Sequence, residues 1–282
     1  MILAMERTRS LIDRRQQARI AMRTSVRRAK SLYLIPFVTA ALVVAALIVL
    51  RPPATKVVDD FDRPNSLVTN EYAYWHRDAP GGVVSPTWIM TSGSLFVRDH
   101  VAWTGIPDTA SPDPMSIYGT NSNVFRLLTR AEDNGDVTFG FRLRVLRFTS
   151  DRTSSADNWD GVHVFVRYQN PALLYYVSVS RRDGTVAIKK KILGGDTNGG
   201  TYYTLATGTA PLRFGSWEAI RVSSRNNSDG SVTIKLFIDG RLLMTGRDTG
   251  AGDSPPITQP GRIGIRGDYA EFEFDDFSVS VE

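Results

Sequence analysis

A chain of 282 residues without a cysteine has no disulfide available, so its folded part must be held by its own buried core. The formal net charge of +5 is concentrated at the start: Met1 to Lys30 carries nine Lys/Arg against only Glu6 and Asp13, which leaves the remainder at −2. The basic balance therefore belongs to a tail and excludes the nucleic-acid reading that it first invites, which would need its cations on the folded domain.

Ser31 to Leu50 carries no charge and is rich in Leu, Val, Ile and Ala; Arg51, Pro52 and Pro53 end the run. An apolar stretch of ~20 residues matches the helix length that crosses the hydrocarbon core of a bilayer. The sequence predicts a transmembrane helix over residues 31–50. Lys and Arg beside a span stay in the cytoplasm, which makes residues 1–30 a basic cytoplasmic tail and the rest extracytoplasmic. Pro36 falls in the first turns of the span, where a missing N–H is tolerated. A cleaved secretory signal shares the basic head, but its apolar core usually runs ~7–15 residues and ends at a small-x-small site. No such site follows Leu50. The expectation is an uncleaved signal-anchor in the cell membrane. The lipid bilayer is then a partner through residues 31–50, and anionic lipid headgroups are partners at the tail, where each Lys or Arg contributes about 1 kcal/mol. The alternative for the tail is a topology signal with no other role.

Residues 51–56 read as a short stiff linker to one domain, 57–282, long enough to bury a sizeable core. From Val57 onward the dominant period is two, the mark of strands with one buried face. Val137, Phe139, Phe141, Leu143 and Val145 alternate with polar or small residues; so do Val162, Val164 and Val166; Tyr175, Val177 and Val179; Val186 and Ile188; and Val232, Ile234, Leu236 and Ile238. Asp183-Gly184 and Asp239-Gly240 read as two-residue hairpin turns. Near the end, Phe272 and Phe274 share one phase while Phe277, Val279 and Val281 share the other, so a β-bulge is expected at Asp275-Asp276. The similar Val58-Asp59-Asp60-Phe61 predicts that the first and last strands pair. Arg266-Gly267-Asp268 reads as a strand-ending turn. No convincing helix appears after the anchor. The fold class is all-β, a two-sheet antiparallel jelly-roll sandwich preceded by one transmembrane helix.

Several of these segments together resemble a known group. They are Asp59-Asp60-Phe61, Gly161-Val162 through Arg167-Tyr168-Gln169, Leu174-Tyr175-Tyr176-Val177 and Ser216-Trp217-Glu218. Ile238-Asp239-Gly240, Gly261-Arg262-Ile263-Gly264 and Phe274-Asp275-Asp276-Phe277 complete the set. The chain resembles the concanavalin A-like lectin/glucanase superfamily, within it the laminin G-like and 3-keto-disaccharide hydrolase-like sandwiches. The resemblance runs from about Val57 to Glu282. It implies the sandwich but not the job, because that superfamily includes lectins, carbohydrate-binding modules, glycosidases, lyases and adhesion domains. Its glucanases carry Glu-x-Asp-x-x-Glu on one strand, a motif absent here; Glu271-Phe272-Glu273 is the nearest approach. Val162-His163-Val164 resembles part of the Gln-Ile/Val-His element of alginate-lyase-like sandwiches, with Gly161 in place of the glutamine. The lyases' late Tyr/Lys-rich strand is missing. Related sandwiches often hold a structural calcium near their termini, which makes Asp60 and Asp276 the candidate ligands if the end strands pair. Zinc has no His/Cys cluster to support it.

By phase, Arg142, Arg144, His163, Arg167, Tyr176, Lys189, Lys191 and Lys235 point away from the core. Trp159 follows the polar loop 149–158 and is expected to be exposed, an aromatic platform for a sugar face. These residues imply a membrane-anchored extracytoplasmic carbohydrate-binding (lectin-like) protein for a glycan or polysaccharide of some acidic character. Its ligand-binding residues would be Trp159, His163, Arg167, Tyr176, Arg142 and Arg144. Two alternatives stay open. One is a membrane-tethered polysaccharide lyase or glycosidase using His163 and Tyr176, with nearby cations neutralising a uronate. The other is a structural or adhesive domain without a sugar site.

Overall fold

A computed structural model describes residues 55–78, 80–105, 123–150, 157–197 and 199–281. The predicted tail, span and residues 51–54 of the linker lie outside the described residues. Among the described residues no helix is long and apolar enough to cross a membrane.

Two antiparallel sheets pack face to face. The first runs, in spatial order, β14 (Arg241–Asp248), β13 (Val232–Ile238), β12 (Glu218–Asn226), β7 (Val137–Phe148), β16 (Ala270–Val281), β5 (Val101–Trp103), β4 (Ser94–Arg98) and β2 (Ser66–Asn70); β1 (Thr55–Asp59) also pairs with β16. The second runs β11 (Gly200–Thr209), β10 (Thr185–Thr197), β9 (Leu173–Arg181), β8 (Gly161–Asn170), β15 (Arg262–Asp268), β6 (Val124–Thr129) and β3 (Trp88–Ser92). One departure from the all-strand expectation is α1 (Glu71–Trp75), a single turn whose N-cap Asn70 accepts a hydrogen bond from the Ala73 N–H, with Glu71 at the positive end.

The alternating apolar residues meet between the sheets. Phe61 packs edge-on against Phe274 at 5.1 Å, and Trp88 edge-on against Phe277 at 5.0 Å, all four fully buried. The first and last strands do pair, Thr55 opposite Ser280 and Asp59 opposite Phe277. Trp88 Nε1 donates to Asp59 Oδ2 at 2.8 Å, and Arg63 closes on the same carboxylate at 2.8 Å. The bulge stands where the phase slips: Asp276 has φ 54°, the register of β16 on β7 shifts between Asp275 and Ser278, and Phe274 and Phe277 both face inward. Asp239-Gly240 is a two-residue turn with both φ positive, 50° and 76°. Asp183-Gly184 is not. There the hairpin loop is Arg182–Gly184, only Gly184 has positive φ (71°), and its N–H returns to the Arg181 carbonyl at 2.9 Å.

Two cations lie inside the sandwich. Lys190 on β10 points inward, its ammonium 3.1 Å from Asp248 on β14 and bonded to the Ser254 and Pro255 carbonyls at 2.6 and 2.9 Å. Tyr175 on β9 donates to the same carboxylate at 2.6 Å. Burial opposes the Asp248 charge, but the bonds from Tyr175, the Ala251 and Gly250 amides and Lys190 hold its pKa below the ordinary carboxylate value. Arg167 corrects an expectation. Its φ of 49° and the register shift of β8 on β15 rotate it out of the outward phase and into the space between the sheets. There its guanidinium donates to Ser224 Oγ (2.7 Å), Asn226 Oδ1 (2.6 Å), the Ile257 carbonyl (2.9 Å) and Asp136 Oδ1 (2.9 Å).

Removing one partner of a buried pair strands the other charge, which costs about 3–5 kcal/mol. Lys190→Met is therefore expected to lower unfolding stability by about that amount in urea titrations. Adding Asp248→Asn, which removes the stranded charge, restores part of the loss.

Candidate functional site

Because Val162, Val164, Tyr175 and Val177 face the core, their neighbours His163, Phe165, Tyr176 and Ser178 fall on the outer face of the second sheet. Register sets them side by side: His163 opposite Ser178 and Arg266, Tyr176 opposite Phe165 and Lys189. Tyr176 stacks on His163 at 4.6 Å between centroids and meets Tyr202 edge-on at 5.3 Å. The outward phase is as the alternation implies, but the solvated surface is not. Leu128, Phe165, Tyr168, Leu174 and Tyr176 form a second, smaller apolar cluster, and both His163 and Tyr176 are buried in this layer.

Beside this cluster lies a cleft of about 400 Å³, its walls including Trp159, Asp160, Arg181, Lys189, Tyr202 and Arg266 as well as His163 and Tyr176. Trp159 stands at the rim, 58% exposed. A tight turn carries it: the Asp157 N–H donates to Asp160 Oδ2 at 2.7 Å and the Asp160 N–H to the Asp157 carbonyl at 3.1 Å. The next residue must be glycine. Gly161 has φ +147°, and a Cβ there would come 2.0 Å from the Ser180 carbonyl oxygen. The glutamine of the lyase element has no room at this position.

Charge in the cleft is unevenly matched. His163 Nδ1 lies at hydrogen-bond distance, 3.1 Å, from Ser178 Oγ; its Nε2 is 3.6 Å from Asp268 and without a hydrogen-bond partner. Burial pushes the imidazole pKa down to about 3, so it is neutral near pH 7. Asp268 is clamped by Arg266 through two bonds of 2.6 and 2.8 Å, and although burial opposes its charge, that clamp keeps its pKa below the ordinary value. Arg266-Gly267-Asp268 is thus strand, not a turn. Its two charged residues share the outer face, while a Cβ on Gly267 would strike the inward Phe272 ring at 2.5 Å. Arg181 pairs with Asp183 at 2.6 Å, yet its buried Nε has no partner. Lys189 has no hydrogen bond or carboxylate partner among the described residues; burial and then Arg181 lower its pKa. Asp160 is pushed up to about 6, chiefly by burial.

Of the six residues expected to hold a ligand, the structure brings together Trp159, His163 and Tyr176. Arg167 lies between the sheets, as described above. Arg142 and Arg144 belong to β7 in the first sheet and are neutralised there: Arg142 binds Asp275 at 2.5 Å and Asp276 at 2.8 Å, Arg144 pairs with Glu273, and both sit over Trp217 at 4.9 and 4.6 Å. The expected outward basic cluster is therefore divided, because period two gives a residue's face but not its sheet. The same gap hid Asp160, Arg181, Arg266 and Asp268, whose convergence depends on strand order. For calcium, Asp276 is taken by Arg142, Asp59 by Arg63 and Trp88, and exposed Asp60 accepts the Asp62 N–H at 3.2 Å. Among the described residues no group of three or more His, Asp or Glu side chains is placed to hold a metal ion. The carboxylates at Asp60 and Asp276 do not fit a calcium site.

No protein-family model and no curated protein matches this sequence. Solved structures do. The carbohydrate-binding module CBM66 from Bacillus subtilis matches with 12% identity over 68% of this chain and 94% of its own, TM-score 0.47. The potassium-bound carbohydrate recognition domain of Emp46p gives 12% identity over 68% and 88%, TM-score 0.48. A glycoside hydrolase family protein from Mycobacterium thermorestibile gives 12% over 81% and 100%, TM-score 0.46.

The Asp160 carboxyl yields a prediction with a definite sign. Its folded-state pKa of about 6 lies above the ordinary 3.8, so the fold favours the protonated form. The stabilisation is full below pH ~4 and is lost as pH rises through ~6. Asp160→Asn keeps an acceptor for the Asp157 N–H without the charge. It is expected to raise the thermal midpoint at pH 7.5, with the gain vanishing by pH 4 in calorimetric scans.

Proposed function

We propose that this chain is a membrane-anchored extracytoplasmic carbohydrate-binding protein whose cleft on the second sheet takes a glycan of acidic character. The anchor and its orientation rest on the uncharged run 31–50 and the basic residues before it. The site rests on one observation: an exposed tryptophan at the rim of a cleft whose wall holds Lys189 without a carboxylate partner among the described residues and Arg181 with an unpaired Nε. Leaving a buried donor unpaired costs ~1–3 kcal/mol, so a site rich in such donors suits a ligand rich in acceptors. Sugar hydroxyls and uronate or sulfate oxygens are acceptors of that kind. The indole supplies the flat apolar surface on which a sugar ring stacks.

The lyase alternative calls for His163 and Tyr176 with cations beside them. Arg167, one of the cations expected there, is fully buried between the sheets. Binding without turnover is the reading that the geometry supports best.

A glycan array probed with the full-length protein is the direct test, with neutral and uronate- or sulfate-bearing glycans compared. Acidic glycans are expected to bind, and Trp159→Ala to weaken them about tenfold, ~1.4 kcal/mol, with no change in thermal midpoint. Absence of binding to every glycan class would replace this reading with that of a structural domain. A new double-bond absorbance on incubation with a uronate polymer would replace it with a lyase.

A further inference from the structure

The first sheet divides its own outer face into two halves of different character. Toward β16 every outward carboxylate of that strand has a cation: Glu271 with Arg147, Glu273 with Arg98 and Arg144, Asp275 with Arg142. Toward β13 two outward cations, Arg221 and Lys235, lack such a partner among the described residues. A trough of about 500 Å³ runs over β12 and β13, walled by Arg221, Arg225, Lys235 and Phe237 and floored by the small side chains of Ser223 and Thr138. No carboxylate of a described residue lines it. Arg221 lies over the Phe237 ring at 4.1 Å, and neither Arg221 nor Lys235 has a carboxylate of a described residue within ion-pair distance.

Register makes the spacing regular. Arg221 and Arg225 share a face four residues apart on β12, about 13 Å along the strand. Lys235 pairs with Ser223, the residue midway between them. Arg221 and Lys235 thus stand on neighbouring strands, offset by two residues, along a shallow channel lined with hydroxyl groups. Exposed like charges held at close range repel one another and favour a polyvalent counterion.

We propose that this trough is a second ligand site, distinct from the cleft, which takes a linear anionic polysaccharide with its carboxylate or sulfate groups against Arg221 and Lys235. A stretched chain with regularly placed charges matches both the length of the channel and its hydroxyl floor. A bilayer surface matches less well, because Phe237 is covered by the Arg221 guanidinium and the channel is concave. The inference stands independently of the cleft, which lies on the other sheet and uses other residues.

Protection of lysines from acetylation tests it on the full-length protein. Residues are labelled with an amine-reactive acetate ester and read by peptide mass spectrometry, a readout that the arginines of the basic tail do not enter. Dextran sulfate is expected to slow labelling of Lys235 at least about fivefold at 50 mM salt, with most of the effect gone at 500 mM, while uncharged dextran does nothing. Arg221→Gln should remove most of the protection and Arg221→Lys retain it; both positions are exposed to solvent, so folding is not at stake. Trp159→Ala should leave Lys235 protection intact. Lys189 in the same digest reports the cleft separately, so failure at one site is distinguishable from failure at the other. Unprotected Lys235, protection unaffected by Arg221→Gln, or protection lost with Trp159→Ala would overturn the proposal. Protection by phosphatidylglycerol vesicles but not by dextran sulfate would overturn it in favour of a lipid surface.

Discussion

Lys190 reaches across the sandwich to Asp248, and that buried ion pair sets the phase of β10. A lysine inside a two-layer core is costly unless its charge is matched and every proton finds an acceptor. Here the ammonium faces Asp248 and the carbonyls of Ser254 and Pro255, while Tyr175 bonds the same carboxylate and accepts the Ile257 N–H. With Lys190 fixed inward, Lys189 and Lys191 on either side have to face outward. Lys189 then joins the cleft wall, and Lys191 reaches the Pro171 carbonyl at 2.7 Å beside the Tyr202 ring. A slip of one residue would put both lysines into the apolar core.

Arg167 does the complementary work on β8, beside the same Ile257 backbone. Its left-handed backbone resets the phase of the strand, so that Tyr168 joins the outer cluster while the guanidinium ties the second sheet to Ser224 and Asn226 of the first. Asp276 does the same for β16. Both bulges lie where an outward run must become inward, and both are residues other than glycine held at positive φ. Such positions persist because the surrounding pairing over-determines them.

How far the sequence reveals this arrangement depends on which distance an inference has to span. Alternation is local. It discloses the strands, the paired ends, the bulge at Asp275-Asp276 and the outward phase of His163 and Tyr176. Sheet membership is not local: Arg142 and His163 carry the same outward signal, yet β7 and β8 belong to opposite sheets, so one meets Asp275 and the other Asp268. Arg167 escapes for a different reason, since nothing in Val166-Arg167-Tyr168 marks a left-handed residue; the bulge is imposed by β15. Lys190 escapes because three consecutive lysines read as a solvated run. Burial of the second sheet's outer face follows from Leu128 on β6 meeting Phe165 across Gly264 and from Tyr202 on β11 meeting Tyr176, residues far apart in the chain.

The two outer faces answer one electrostatic problem in two ways. On the β7 and β16 side of the first sheet, arginines and carboxylates stand opposite one another in register, an arrangement worth little per pair in solvent that nonetheless matches the charges of those two strands. On the second sheet the arginine nearest a carboxylate, Arg266, lies within the aromatic layer and saturates Asp268. Lys189 and Arg181 stand in the cleft wall, and the Asp160 carboxyl beside them has its pKa raised by burial while it holds the turn beneath Trp159. The rim that carries the aromatic platform and the wall that carries unmatched charge are therefore parts of one device: the carboxyl that positions the indole is also the one whose charge burial disfavours.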